Sequence, residues 1–133
     1  MGVQGPAPDW APWLDQAEHD LYAARQNDAS DLWDVAVTLA EQAAEKAAKA
    51  VWIDKRGELA PRIHFVGQLL RELGAPEELV KAGTALGDGY FTVRYPPLDG
   101  RAPFEAVDSA DAASAVSDAE RILQWAKEQL PCR

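Results

Sequence analysis

Glu45, Lys46 and Lys49 lie within about one turn of each other in the stretch WDVAVTLAEQAAEKAAKAVW, residues 33–52, and Arg94-Tyr95-Pro96 follows much later in the chain. Lysine offers a point charge to a phosphate, and arginine offers a planar fork of donors. Tyrosine adds a ring for stacking and a hydroxyl. The chemistry these types suit is recognition of a phosphate or nucleotide, without pointing to any one reaction. Each group also has a plainer reading. Glu41, Glu45 and Lys49 recur at helical salt-bridge spacing, which would make Lys46 and Lys49 part of a solvated face. Arg94 could pair with an acidic helix while Tyr95 plugs one end of the fold.

His64 follows Arg62 closely and could donate a hydrogen bond, act as a general acid or base, or simply cap and pack a helix. His19, between Glu18 and Asp20, reads as a surface residue. No Cys/His cluster has zinc-ligand spacing, so no metal is expected. Gly83, Gly87 and Gly89 do not precede a Lys-Ser or Lys-Thr pair, so there is no phosphate-cradling loop and no cofactor is implied. The carboxylates are plentiful but form no pattern that assigns acid and base roles.

The scaffold that positions these groups reads as helical throughout. Alanine is abundant and no segment alternates Val, Ile or Thr, so the class is all-α. Asp9 is placed to cap a first helix with the stripe Trp10, Trp13, Leu14, Ala17, Leu21 and Ala24. Ser30-Asp31 would open a second, burying Leu32, Val35, Ala36, Leu39, Ala43, Ala47, Ala50 and Val51. Lys55-Arg56-Gly57 through Pro61 breaks the pattern. A short third helix carries Ile63, Val66, Leu69, Leu70 and Leu73, and Gly74 ends it. Pro76-Glu77-Glu78 opens a fourth, with acids in its first turn. Its apolar positions are Leu79, Ala82, Leu86 and Tyr90, and its three glycines predict an irregular end. Residues 95–107 read as an extended loop. Asp108 or Ser109 caps the last helix, with the stripe Ala112, Val116, Ala119, Leu123, Ala126 and Leu130. The expected architecture is an antiparallel up-and-down bundle of four to five helices over residues 9–130, with a flexible leader at 1–8 and a tail at 131–133.

Charge narrows the function classes. With 13 Lys and Arg against 22 Asp and Glu, the formal net charge is −9. Long DNA is therefore not an expected ligand, since phosphate neutralisation needs an excess of cations. No apolar run approaches the ~20 residues that span a bilayer, and the start MGVQGPAPDW is unlike a signal peptide. The lone Cys132 cannot make an internal disulfide. These features fit a cytoplasmic protein with no membrane partner.

In order along the chain, AEHDLYAA (17–24), AEQAAEKAAKAVW (40–52), His64-Phe65-Val66 with Leu69-Leu70, YFTVRYP (90–96) and a closing ILQWAKEQL (122–130) resemble the HEPN domain family, in its small stand-alone prokaryotic form. The resemblance covers residues from about 10 to 130 and implies a helical bundle that forms a homodimer. It also implies a nucleotide-binding module, for an ATP- or GTP-type ligand, or a toxin–antitoxin-type partner of a minimal nucleotidyltransferase. The residues carried over are Glu45, Lys46 and Lys49 of helix two, His64 of helix three, and Arg94, Tyr95 and Pro96. Trp52 stands where an aliphatic residue is common. Many relatives are metal-independent RNases that use an Arg and a His a few residues apart across a dimer interface. Here the nearest arginines before His64 are Arg62 and Arg56, and Arg94 has no histidine after it. Binding without catalysis is thus the leading expectation, and an RNase using His64 is the alternative. A third reading is a purely structural assembly partner with Trp10, Trp13 and Trp125 as dimer anchors.

Overall fold

Two ion pairs between the first and last helices fix how the bundle is strung. The computed structural model describes residues 8–62 and 65–132. Its elements are α1 (Ala11–Ala29), α2 (Trp33–Arg56), α3 (Val66–Glu72), α4 (Glu77–Thr92), a 3-10 turn (Pro103–Ala106) and α5 (Ser109–Gln129). Arg25 Nη2 lies 3.0 Å from Glu120 Oε1, and Lys127 Nζ lies 2.9 Å from Glu18 Oε1. Residue numbers rise along one helix as they fall along the other, so α1 and α5 are antiparallel. These exposed pairs report orientation and add little stability. Asp20 meets Lys46 and Trp13 meets Lys49, so α1 and α2 are antiparallel as well. The described residues form the all-α bundle the periodicity predicts, with five α-helices and no strand. None of these helices is long and apolar enough to cross a membrane.

α2 is the central helix, packed against α1, α3, α4 and α5. Ala36, Ala40, Ala43, Ala44, Ala47, Ala48 and Ala50 are all 0% exposed. Side chains this small let neighbouring helices close in from several directions, and alanine also favours the helix itself. The periodicity predicts one buried stripe; burial instead runs around most of the helix.

The start of α2 also differs from expectation. Ser30 and Asp31 do not open it, because their N–H groups donate to Asn27 and Asp28 carbonyls at the end of α1. Asp31 takes a left-handed φ of 59°, and Leu32 becomes the N-cap. The helix therefore starts later, and Leu32 and Val35 are exposed rather than buried. Asp9 likewise stands one residue ahead of the expected position: Trp10 is the N-cap of α1, and Asp9 Oδ1 accepts from Ala11 N at 2.9 Å. Trp10, Trp13 and Trp125 are partly buried and pack on the core. Gly57 closes α2 with φ 66° and donates to the Ile53 carbonyl at 2.8 Å.

The glycines of α4 do not fray it; the helix runs on to Thr92. A Cβ on Gly83 would sit 2.9 Å from Gly67 N and 3.0 Å from Gly67 Cα. One on Gly89 would sit 3.0 Å from Val37 Cγ1. Gly83 and Gly89 let α4 lie close against α3 and α2, and this packing offsets their poor helix propensity. Gly87 faces open space.

α5 follows its predicted stripe, with Ala112, Val116, Ala119, Leu123, Ala126 and Leu130 all buried. Asp108 caps it reciprocally with Asp111: Asp108 Oδ1 accepts from Asp111 N at 2.9 Å, and Asp111 Oδ2 accepts from Asp108 N at 3.0 Å. Ile63 and His64 lie outside the described residues, and α3 begins at Val66.

Candidate functional site

The i, i+4 column Val37, Glu41, Glu45, Lys49 places polar groups on the enclosed helix α2, and all four are buried. Lys49 Nζ bonds Glu45 Oε1 at 2.6 Å and lies 5.8 Å from the centre of the Trp13 ring. Lys46, on a neighbouring face, reaches α1: its Nζ is 2.5 Å from Asp20 Oδ2. Gln16 Nε2 donates to the other Asp20 oxygen at 2.8 Å. The solvated face suggested by the spacing is thus a partly dry seam between α1 and α2. Removing charges from water is costly unless each finds a partner, and these do.

Glu41 is the exception. It is 0% exposed, and its Oε1 has no hydrogen-bond partner. Its Oε2 accepts from Gln42 Nε2 at 2.9 Å. Burial pushes the carboxyl up to about 7, against the hydrogen bond from Gln42. The charge of Glu45 and a hydrogen bond shared with it add to the rise, while the field of Arg94 opposes it. The sequence singles out neither Glu41 nor Asp20 as a site residue. For Glu41 a signal is present: a carboxylate in an alanine-rich stretch, one turn after Val37 and one before Glu45. For Asp20 there is none, since its partner is far away in sequence.

The second half of the site is the end of α4. Gly89 on Val37 sets the last turn of α4 against α2, one turn before Glu41. The chain leaves the helix through Arg94 and Tyr95, whose N–H groups both donate to the Phe91 carbonyl. The Arg94 guanidinium stacks on Tyr90, with its carbon 3.4 Å from the ring centre. Its Nη1 also donates weakly to the Tyr90 carbonyl at 3.4 Å. Arg94 remains exposed and has no ion pair among the described residues. Tyr95 is 60% exposed and stacks on Phe91, with ring centres 6.0 Å apart and planes 25° from parallel. Further along the loop, Arg101 is tied down by Asp99, Nε to Oδ2 at 2.7 Å. The backbone hydrogen bond from Arg101, then its side chain, hold the Asp99 carboxyl below its usual range.

The expected residues therefore fall into two groups. Glu45, Lys46 and Lys49 are joined in the α1–α2 seam, and Arg94 and Tyr95 form an exposed cation–aromatic cluster. His64 lies outside the described residues. Trp52 packs at the C-terminal end of α2 beneath Arg56, whose guanidinium carbon is 4.1 Å from the ring centre. Arg56 Nη2 in turn donates to the Glu72 carbonyl at 3.1 Å, linking the ends of α2 and α3. A separate cleft of about 400 Å³ lies between α4, the 3-10 turn and α5, with Asp88, Asp111 and Asp118 in its lining. Those carboxylates make it unsuited to a phosphate. The described residues contain no group of three or more His, Cys, Asp or Glu arranged to hold a metal ion.

Three solved structures are similar to this chain in fold. TT1696 from Thermus thermophilus is 29% identical, with a TM-score of 0.80 over 91% of this chain and 98% of that one. ST0689, an archaeal HEPN homologue, is 32% identical, with a TM-score of 0.78 over 92% and 98%. A HEPN domain protein from Thermotoga maritima is 28% identical, with a TM-score of 0.68 over 87% and 94%. No curated protein matches the chain. The sequence model of the HEPN domain matches residues 10–129, nearly the whole chain, and the protein belongs to the HEPN domain family.

Proposed function

We propose that this HEPN protein is a non-catalytic nucleotide-binding module whose contact surface is the end of α4 and the turn after it. Arg94 supplies the positive charge for a phosphate, and Tyr95, backed by Phe91, offers a face to the base. The observation that carries this reading is the Arg94 side chain itself: exposed, without an ion pair among the described residues, and oriented by stacking on Tyr90. A guanidinium held in place loses less entropy when it captures an anion. Lys46 and Lys49 support a different role, because Asp20 and Glu45 already neutralise them. In this reading they join helices, and Arg94 with Tyr95 meets the ligand. The overall acidity favours a small ligand over long nucleic acid. A bound nucleotide would be offered to a minimal nucleotidyltransferase docked at the same end of the bundle, and a homodimer would carry two such surfaces.

Isothermal titration with ATP and GTP tests the proposal. Saturable heat is expected, with affinity falling roughly tenfold or more in Arg94→Ala, as suits loss of a charge-assisted contact. Absence of saturable heat, or unchanged affinity in Arg94→Ala, would sink it. Cleavage of tRNA by the pure protein, lost in His64→Ala, would replace it with the RNase reading.

A further inference from the structure

Leu32 and Val35 belong to the apolar stripe of α2, yet they are 50% and 36% exposed. Where α2 begins, they line one groove with Phe104 of the 3-10 turn, which is 63% exposed. The groove encloses about 550 Å³. Trp33, packed on the core, and the buried Val107 complete its apolar lining and fix it to the bundle. Large apolar side chains gathered on a fixed base and left open to water mark a contact surface. Apolar residues scattered singly would not.

The rim of the groove is acidic. Asp31, Asp34 and Glu105 also line it, and none of the three has an ion pair among the described residues. Glu105 Oε1 accepts from Ala102 N at 3.0 Å, which steadies the carboxylate without cancelling its charge. Arg101 Nη1 reaches the Glu105 carbonyl at 3.3 Å, but Asp99 already matches the charge of that guanidinium. These charges choose among occupants. An anionic lipid surface or a nucleic acid would be repelled. A second copy in a symmetric contact would bring the same three carboxylates and its own net charge of −9. A cationic segment is attracted.

We propose that this groove docks an amphipathic segment of another protein, with large apolar side chains on one face and Lys or Arg beside them. The apolar side chains fill the space lined by Leu32, Val35 and Phe104, and the cations meet Asp31, Asp34 and Glu105. Phe104 is the anchor, because exposed aromatic rings carry much of the energy of such contacts. Apolar fit supplies the affinity, and the acidic rim sets the choice of partner. The proposal stands on the groove alone and does not depend on the nucleotide-binding reading.

The test uses a fluorescent peptide of about 18 residues with Leu and Lys set at helical period, and a Leu/Glu peptide of the same pattern as control. Anisotropy should show saturable binding of the Leu/Lys peptide and none of the Leu/Glu peptide. No saturable binding of the first, or equal binding of both, overturns the proposal. Phe104→Asp is the sharper arm, because it removes the anchor while adding negative charge. Docking in the groove predicts that affinity falls roughly tenfold or more. Attraction to the acidic surface at large predicts an unchanged or tighter complex, and that result overturns the proposal. Replacing both Asp31 and Asp34 by Asn should weaken the peptide roughly threefold or more; unchanged affinity removes the charge argument and overturns it too. Sedimentation should give wild type and Phe104→Asp the same oligomeric state. A wild-type dimer that Phe104→Asp splits into monomers would assign the groove to a second copy instead. Circular dichroism confirms that the variants are folded.

Discussion

Asp20 of α1 and Lys46 of α2 meet at 2.5 Å in a contact where the carboxylate side chain is 7% exposed and the lysine side chain 26%. A lysine from the segment that most suggests phosphate binding is therefore bonded to the neighbouring helix. Lys46→Met keeps most of the aliphatic stem and removes the charge, leaving Asp20 buried beside Gln16 alone. We expect a loss of roughly 1–3 kcal/mol in urea denaturation, reduced from the full cost of a broken buried pair because Lys46 is partly solvated. Nucleotide affinity should stay unchanged. A loss of affinity with little loss of stability would return Lys46 to the ligand site.

Gly83 and Gly87 differ by one helical turn and should respond to alanine with opposite signs. At Gly83 the new methyl would sit 2.9 Å from the Gly67 nitrogen, so α3 and α4 must separate. The expected cost is about 1–3 kcal/mol. At Gly87 the methyl enters open space, and the better helix propensity should stabilise by about 0.5–1 kcal/mol. Denaturation midpoints of the two variants check the contrast.

Glu41 makes stability depend on pH. Its carboxyl is raised from an ordinary 4.5 to about 7 in the fold, so the native state holds a proton that the unfolded chain has released between those values. Stability from this group is complete below about pH 4.5, declines as pH rises towards 7, and levels off above that. Glu41→Gln, which cannot ionise, should remove this decline. The variant is expected to gain on the order of 2–3 kcal/mol over the wild type at pH 8, relative to their difference at pH 5. Parallel urea titrations at the two pH values would show it, and equal differences at both would refute it.

Tyr95→Ala separates base recognition from phosphate recognition. Loss of the exposed ring should weaken ATP by roughly fivefold or more, in line with the usual worth of base stacking. Inorganic pyrophosphate, which has no base, should bind both proteins alike. Equal weakening of the two ligands would mean that Tyr95 acts only by holding Arg94.

Much of this fold is legible in the sequence where helical period and local capping act alone. The α5 stripe from Ala112 to Leu130 and the Asp108 cap are of this kind, as is the left-handed Gly57 that closes α2. What periodicity cannot reveal is how many neighbours a helix has. Alanine fits a surface or a crowded interior equally well, so α2 reads as having one buried face, and Glu41, Glu45 and Lys49 read as solvent-facing. The Asp20–Lys46 bond spans two helices and leaves no trace in i, i+4 spacing. Gly83 reads as a weak point because its partner, Gly67, belongs to another element. Arg94 and Tyr95 are legible as chemical types, since arginine and tyrosine beside a proline suit anion and base recognition. Their separation from the lysines needs three dimensions.

The central position of α2 also bears on how this protein can change over generations. The alanines by which α2 meets its four neighbours are fully buried, so a larger residue at any of them must push a packed helix aside. Drift must then accumulate on the outward faces of α1, α4 and α5 and in the loop after α4. New partners and new ligands can be acquired there, while the middle of the bundle stays fixed.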